Sequence, residues 1–261
     1  MRGRRVSRGV RQQDTATQNG SRFFWVGTVL RHRQVSARYA RVLLEGPELP
    51  TKIAAGQFVL LRAQEDPCLP RAFSILSTSV YGIELFVKSE GRVRKKLSHS
   101  PFDTVFEVRG PYGTPYASKI NLNRPYILVG GGSGGAPLMH FQQQYPELVA
   151  GTAYGFRTPD AQELLPEVPI LVESEDGKSA ALHAEEIWQP GQGILACGPE
   201  PMLRLLAQRY RGQPDVYVSL EARIGCGIGT CLGCSIPTTL GPQRICREGP
   251  LFSLDELPWL T

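Results

Sequence analysis

The stretch "RPYILVGGGSGGAP", Arg124 to Pro137, divides the chain into two kinds of sequence. Its apolar run ends in glycines and is followed by "APLMHFQQQY", which predicts a buried strand, a tight turn and a helix. Gly130, Gly132 and Gly135 satisfy G-x-G-x-x-G in the strand–turn–helix context of a dinucleotide fingerprint. With Gly131, Ser133 and Gly134 between them, backbone N–H groups and a helix N-terminus can receive a pyrophosphate. The same turn could also be a purely structural connection. The acidic residue usual about twenty positions on is missing, since Glu147 precedes the next strand and that strand ends "AYGFR". Nucleotide phosphate binding is expected here without the standard dehydrogenase pattern.

Downstream, "VAGTAYGF", "VPILVES", "AALHAEEIW", "GILACG", "PEPMLRLLAQRY" and "DVYVSLEA" alternate strand and helix character, which predicts a parallel sheet with crossover helices. Upstream, from Phe23 to Tyr112, six β-type runs follow one another without long helices: "FFWVGTVL", "ARVLLEG", "GQFVLLRA", "RAFSILS", "GIELFVKS" and "TVFEVRG". They predict an antiparallel barrel or sandwich, interrupted by one short helix in "RVRKKLSHS". The expected plan is a tail over 1–20, a β-barrel over 21–118, an α/β domain over 119–217 and a small cysteine-bearing segment over 218–261.

The 261 residues are 41% hydrophobic and 20% charged, and no apolar run reaches the roughly 18–20 residues of a membrane span. Of the net charge of +5, the first twenty residues supply five arginines against Asp14, leaving about +1 for the rest. That distribution argues against a basic nucleic-acid surface, and the N-terminal stretch reads as a disordered basic tail.

Four of the six cysteines cluster in "IGCGIGTCLGCS" and "QRICREGPLF", with spacing C-x4-C-x2-C-x11-C through Cys226, Cys231, Cys234 and Cys246. A secreted disulfide scaffold would spread its cysteines, so a metal site and a reducing, cytoplasmic compartment are expected. The spacing matches a plant-type [2Fe–2S] site. Gly225, Gly227, Gly229 and Gly233 would let the loop curl through left-handed angles around the cluster. Zinc is the alternative, although only one C-x-x-C pair is present and the four histidines are scattered. Cys68 and Cys197 read as buried structural thiols.

Further motifs carry a resemblance. "RAFSILS" (Arg71 to Ser77), "GGGSGGAP" and "CGPEPML" (Cys197 to Leu203) resemble, in order, the flavin, pyridine-nucleotide and late C-G-P motifs of the ferredoxin–NADP reductase superfamily. With "CGIGTCLGC" and "CREGPLF" added, residues 23–261 resemble the electron-transfer subunits of class 1B dihydroorotate dehydrogenase. The resemblance implies an FAD-binding barrel, an NAD-binding α/β domain and a [2Fe–2S] tail. It implies that Arg71, Ala72, Phe73, Ser74 and Lys88 contact the flavin, with Arg71 at its diphosphate and Ser74 at its reactive edge. "RGPYG", with Gly110, Tyr112 and Gly113, would lie near the flavin edge, and Cys197 and Gly198 where nicotinamide docks. One element departs from the family: "EGRVRKKL" keeps Gly91 but carries Val93 and Arg94 where glycine and threonine are common. There Arg92, Arg94 and Lys95 either supply compensating charge to the flavin phosphates or form a solvated helix face.

The implied activity is electron transfer between NAD⁺ and an FMN-containing dihydroorotate-oxidising subunit, in a heterotetramer without nucleic acid or membrane. Two alternatives are a reductase subunit serving a sulfite- or sulfide-metabolising partner and a zinc-stabilised binding module.

Overall fold

The computed structural model describes residues 24–36, 38–45, 53–63, 69–99, 104–173 and 179–260; the expected N-terminal tail and Cys68 lie outside them. Strands β1 (Phe24–Val35), β2 (Tyr39–Glu45), β3 (Phe58–Ala63), β4 (Arg71–Ser74), β5 (Ser77–Ser79), β6 (Gly82–Lys88) and β7 (Val105–Tyr112) form one antiparallel sheet in the order β4-β3-β7-β1-β2-β6-β5. β7 alternates part-exposed and buried residues without a break, as a strand with one face on a core should. β4 and β5 sit at opposite edges of the sheet, yet only Ile75 and Leu76 separate them. The sheet therefore curls until its edges meet, which closes a barrel. "RAFSILS" is accordingly two strands rather than one, hinged on two buried residues. Val42, Leu44, Val59, Leu61, Leu85, Phe106 and Val108 fill the interior. The short helix α1 (Arg92–His99) falls where the sequence predicts it.

In the second sheet β8 (Tyr126–Gly131), β9 (Val149–Phe156), β10 (Leu171–Val172), β11 (Gly193–Cys197) and β12 (Val216–Ser219) lie parallel in the order β10-β9-β8-β11-β12. β8 and β11 are buried almost throughout, because helices cover both faces. Ile127, Val129, Ile194 and Ala196 meet α3 (Ala180–Ile187) and α4 (Glu200–Tyr210). Their alternates Tyr126, Leu128, Leu195 and Cys197 meet α2 (Ala136–Gln144).

The cysteine segment is built onto this sheet. After the hairpin β13 (Ser235–Ile236) and β14 (Gln243–Arg244), strand β15 (Leu251–Ser253) pairs antiparallel with β12. Cys234, Ile245, Cys246, Phe252 and Leu257 share one apolar cluster with α3 and α4. The Arg211 guanidinium donates to the carbonyls of Leu254, Leu257 and Leu260 at 3.0 to 3.3 Å and ties down the last turns.

Two polar bridges fix the barrel against the α/β sheet. Arg41 pairs with Glu84 on β6 and with Glu167 at 2.6 Å each, and donates to Leu164 O at 3.1 Å. The Gln144 side chain spans Ile53 O and the Ala55 N–H, both at 2.8 Å. The Arg41 contacts are charge-assisted, the stronger class, and the Gln144 amide adds two neutral bonds to the same docking.

Candidate functional site

Three connected hollows lie where the barrel, the α/β sheet and the cysteine segment meet. The first, a slot, is lined by Ala72, Phe73 and Ser74 of β4, Lys88, Arg94, Ser133, Cys197, Ser219 and Glu221. Ile224 and Ile245 also line it, two residues and one residue from Cys226 and Cys246 respectively. A lining of apolar residues with a few polar groups among them suits a heteroaromatic ring. Phe73 contributes an edge only: its ring belongs to the barrel core, with the Arg94 guanidinium carbon 6.0 Å from its centroid.

The second hollow joins the slot at Ala72 and Arg94 and brings together Arg71, Arg94 and Arg223, with Gly91 at the turn into α1. Three guanidinium groups around one space suit a diphosphate. Arg94 therefore faces a cavity, whereas Lys95 is exposed, and the Arg92 side chain lies outside the description. Arg223 comes from the cysteine segment and was not anticipated.

The third hollow runs along Gly131, Gly132, Ser133, Gly134 and Gly198, with Lys88 and Glu221 where it meets the slot. The glycine turn is needed partly for close packing: a Cβ on Gly134 would stand 2.8 Å from Cys197 O and from Gly198 Cα. Gly130 and Gly135 do not line it and serve packing instead, beside Tyr154. The absent acidic partner is consistent with β9 ending at Phe156 and leading into Arg157.

Glu221 sits at the junction of the first and third hollows. Although its side chain reaches solvent through the cleft mouth, crowding by the walls raises its carboxyl pKa, with Arg94 opposing the shift. Sequence reading missed it because it is an ordinary glutamate in "VSLEA", and only its place at the end of β12 marks it. Burial raises the Cys197 thiol well above its ordinary range, so it is a neutral group on the slot wall.

The "RGPYG" residues do not line the slot but stand directly behind two of its wall residues, Phe58 and Pro250. Tyr112 ends β7, packs on Phe58 with ring centroids 6.0 Å apart, and meets the cysteine loop at Gly227. Gly110 closes on Phe58 O and Gly113 on Pro250, so these glycines shape the seam rather than the slot. In the loop only Gly227 and Gly229 take left-handed angles, φ +77 and +82. Gly225 and Gly233 do not, and Leu232 adopts φ 58 instead. The chain reverses at Leu232, one position before the expected glycine, and its side chain is left exposed.

Among the described residues no three His, Cys, Asp or Glu side chains converge on a point as a lone ion requires. The four cysteines fall as two neighbouring pairs, Cys226 with Cys231 and Cys234 with Cys246. Four cysteines brought together in this segment are the ligand set a two-iron cluster uses. Partial burial opposes ionisation of Cys226, but backbone hydrogen bonds at Cys231 and Ile228 and the Thr230 hydroxyl outweigh it and bring its pKa to about 6. Arg244 holds the loop from behind, donating to Gly229 O at 3.1 Å while paired with Glu248.

A closed barrel beside a nucleotide-type parallel sheet is the ferredoxin-reductase fold. A chain of the NADH-dependent reduced ferredoxin–NADP oxidoreductase superposes with TM-score 0.76 at 23% identity, covering 93% of this chain and 92% of that one. The ferredoxin reductase of carbazole 1,9a-dioxygenase gives 0.58 at 20%, over 75% and 64%. A family model for the iron–sulfur cluster binding domain of dihydroorotate dehydrogenase B matches residues 221–258. The dihydroorotate dehydrogenase B (NAD(+)) electron transfer subunit of Geobacillus thermodenitrificans is 31% identical over 88% of this chain and 96% of its own length. That of Geobacillus sp. strain WCH70 is 29% identical over the same shares. The chain belongs to the family of dihydroorotate dehydrogenase B electron transfer subunits.

Proposed function

We propose that this chain passes electrons between a dihydroorotate-oxidising subunit and NAD⁺, using FAD in the slot and a [2Fe–2S] cluster on Cys226, Cys231, Cys234 and Cys246. The observation that carries the reading is that Ile224 and Ile245, flanking the cysteines, are themselves walls of the slot. When bound, a flavin exchanges one or two electrons and an iron–sulfur cluster one, so the pair can join one-electron to two-electron chemistry. Arg71, Arg94 and Arg223 would hold the flavin diphosphate, and Ser74, Cys197 and Ser219 would border the ring. Glu221, its carboxyl biased towards the protonated form, can hold or release a proton at its carboxylate oxygens where slot and cleft meet. Gly131 to Gly134 and Gly198 would receive the nicotinamide nucleotide.

The partner would be an FMN-containing catalytic subunit in a heterotetramer, docking where the cysteine loop reaches the surface. Ile228 and Leu232 are 51% and 62% exposed there, flanking the exposed Cys231. A reducing compartment such as the cytoplasm suits thiol ligands. Among the described residues no helix is long and apolar enough to cross a membrane. The test is to purify the tagged chain from its own cells with its partner and assay orotate formation. NAD⁺-dependent orotate formation that requires this chain is the expected result. A partner without a dihydroorotate-oxidising activity would overturn it.

A further inference from the structure

One wall of the third hollow is explained by none of the motifs. Tyr39, the first residue of β2, is 6% exposed and lies flat on Phe86, with ring centroids 5.2 Å apart and planes at 12°. Phe156 meets it edge-on at 5.5 Å. Two aromatic contacts fix the direction of the ring. They deliver its hydroxyl to the glycine turn, where Oη lies 3.4 Å from the place a Cβ on Gly132 would occupy. Among the described residues this hydroxyl has no hydrogen-bond partner. The hydroxyl faces the cleft, where water or a polar group entering the hollow can be its partner.

Two cations stand beside it. Arg38 precedes Tyr39 on the barrel side, and Arg157 follows β9 on the α/β side; both line the hollow and act on the hydroxyl. Neither has an ion-pair partner among the described residues, whereas Lys88, the other cation of this wall, is tied to Glu90 at 2.7 Å. Glu90 and Asp160 oppose the two arginines at the hydroxyl, and Glu173 and Glu221 line the same hollow farther along. The site is an O–H held at the glycine turn, with Arg38 and Arg157 lining the same hollow from its two sides.

We propose that Arg38, Tyr39 and Arg157 form a clamp across the two domains for the diphosphate of the nicotinamide dinucleotide. Forked guanidinium donors and a hydroxyl match phosphate oxygens, and a turn at Gly132 gives them close access. The barrel thereby contributes one jaw to a site that the glycine motif alone assigns to the α/β domain. The inference rests on the reading that this hollow takes the dinucleotide.

The test uses the flavin-loaded protein with Arg38→Gln, Arg157→Gln and Tyr39→Phe, the last keeping the ring packing. Stopped-flow flavin reduction is compared for NADH and for 1-benzyl-1,4-dihydronicotinamide, a donor without phosphate. Because both arginines are exposed, each arginine variant should lower the ratio of second-order rate constants, NADH over benzyl donor, roughly fivefold, and Tyr39→Phe by about threefold. Calorimetric binding of ADP-ribose, which carries the diphosphate without nicotinamide, should weaken by similar factors. An unchanged ratio with unchanged ADP-ribose affinity in both arginine variants overturns the clamp. Wild-type protein reduced by neither donor would overturn the dinucleotide reading itself.

Discussion

Replacing Gly227 by alanine tests how the barrel supports the cysteine loop. At φ +77 an L-residue costs about 1–2 kcal/mol over glycine. The new β-carbon would also stand 2.7, 2.8 and 2.9 Å from three carbons of the Tyr112 ring, well inside the roughly 3.5–4.0 Å optimum. Tyr112 cannot simply yield, because Phe58 backs it, and overpacking of this kind costs about 1–3 kcal/mol. Together the two effects amount to about 2–5 kcal/mol, concentrated on the loop that carries Cys226 and Cys231. The expected outcome is loss of most iron and acid-labile sulfide on purification, with bound flavin retained. Combining Gly227→Ala with Tyr112→Ala should restore part of the iron, since it relieves the contact but not the backbone angle. Gly225→Ala is the control: its β-carbon would meet nothing closer than Cys231 Sγ at 3.5 Å, and its φ is not left-handed. Iron content and thermal midpoint of Gly227→Ala indistinguishable from wild type would refute the reasoning.

Cys231→Ser should abolish the visible and electron-paramagnetic signals of the cluster while NADH still bleaches the flavin; losing both would show that loop and slot fold as one unit. Arg223→Ala removes one of three guanidinium groups around the second hollow, and because Arg223 is exposed its contribution is set at about 1 kcal/mol, roughly fivefold in FAD retention by dialysis. His140 is buried on α2 with its pKa pushed down to about 4 by desolvation. Its folded pKa lies below the unfolded value, so the unfolded chain binds more protons between about pH 6.5 and 4, and stability falls as pH drops through that window by up to about 3 kcal/mol. Urea unfolding of wild type and His140→Gln at pH 7 and pH 5 measures it; an equal pH-dependent loss in the variant would rule out His140 as its source.

Much of the fold was legible because it is written at short range. Alternation in "TVFEVRG" and continuous apolarity in "YILV" and "GILAC" report one-sided and two-sided burial directly, and β7, β8 and β11 follow them. The break in "RAFSILS" was not legible, since nothing local at Ile75–Leu76 says that the strand must cross from one sheet edge to the other. The same limit applies to the loop glycines. Composition allowed four left-handed positions, but the turn chosen by packing uses Gly227, Gly229 and Leu232.

By itself the sequence determined which ligands the chain can offer: four cysteines at iron–sulfur spacing, a glycine turn between strand and helix, and an arginine–serine strand for a flavin. The cysteine spacing and the glycine turn constrain geometry by themselves, whereas the flavin role of the Arg71–Ser74 strand is what the family resemblance implies. The tertiary structure decided what surrounds them. Arg223 reaches the Arg71 hollow, Glu221 stands between slot and cleft, Tyr112 supports the cysteine loop, and Arg38 and Arg157 line one hollow from two domains. These neighbours are far apart in sequence and meet only because the Arg41 and Gln144 bridges and the β12–β15 pairing dock barrel, sheet and tail at one seam.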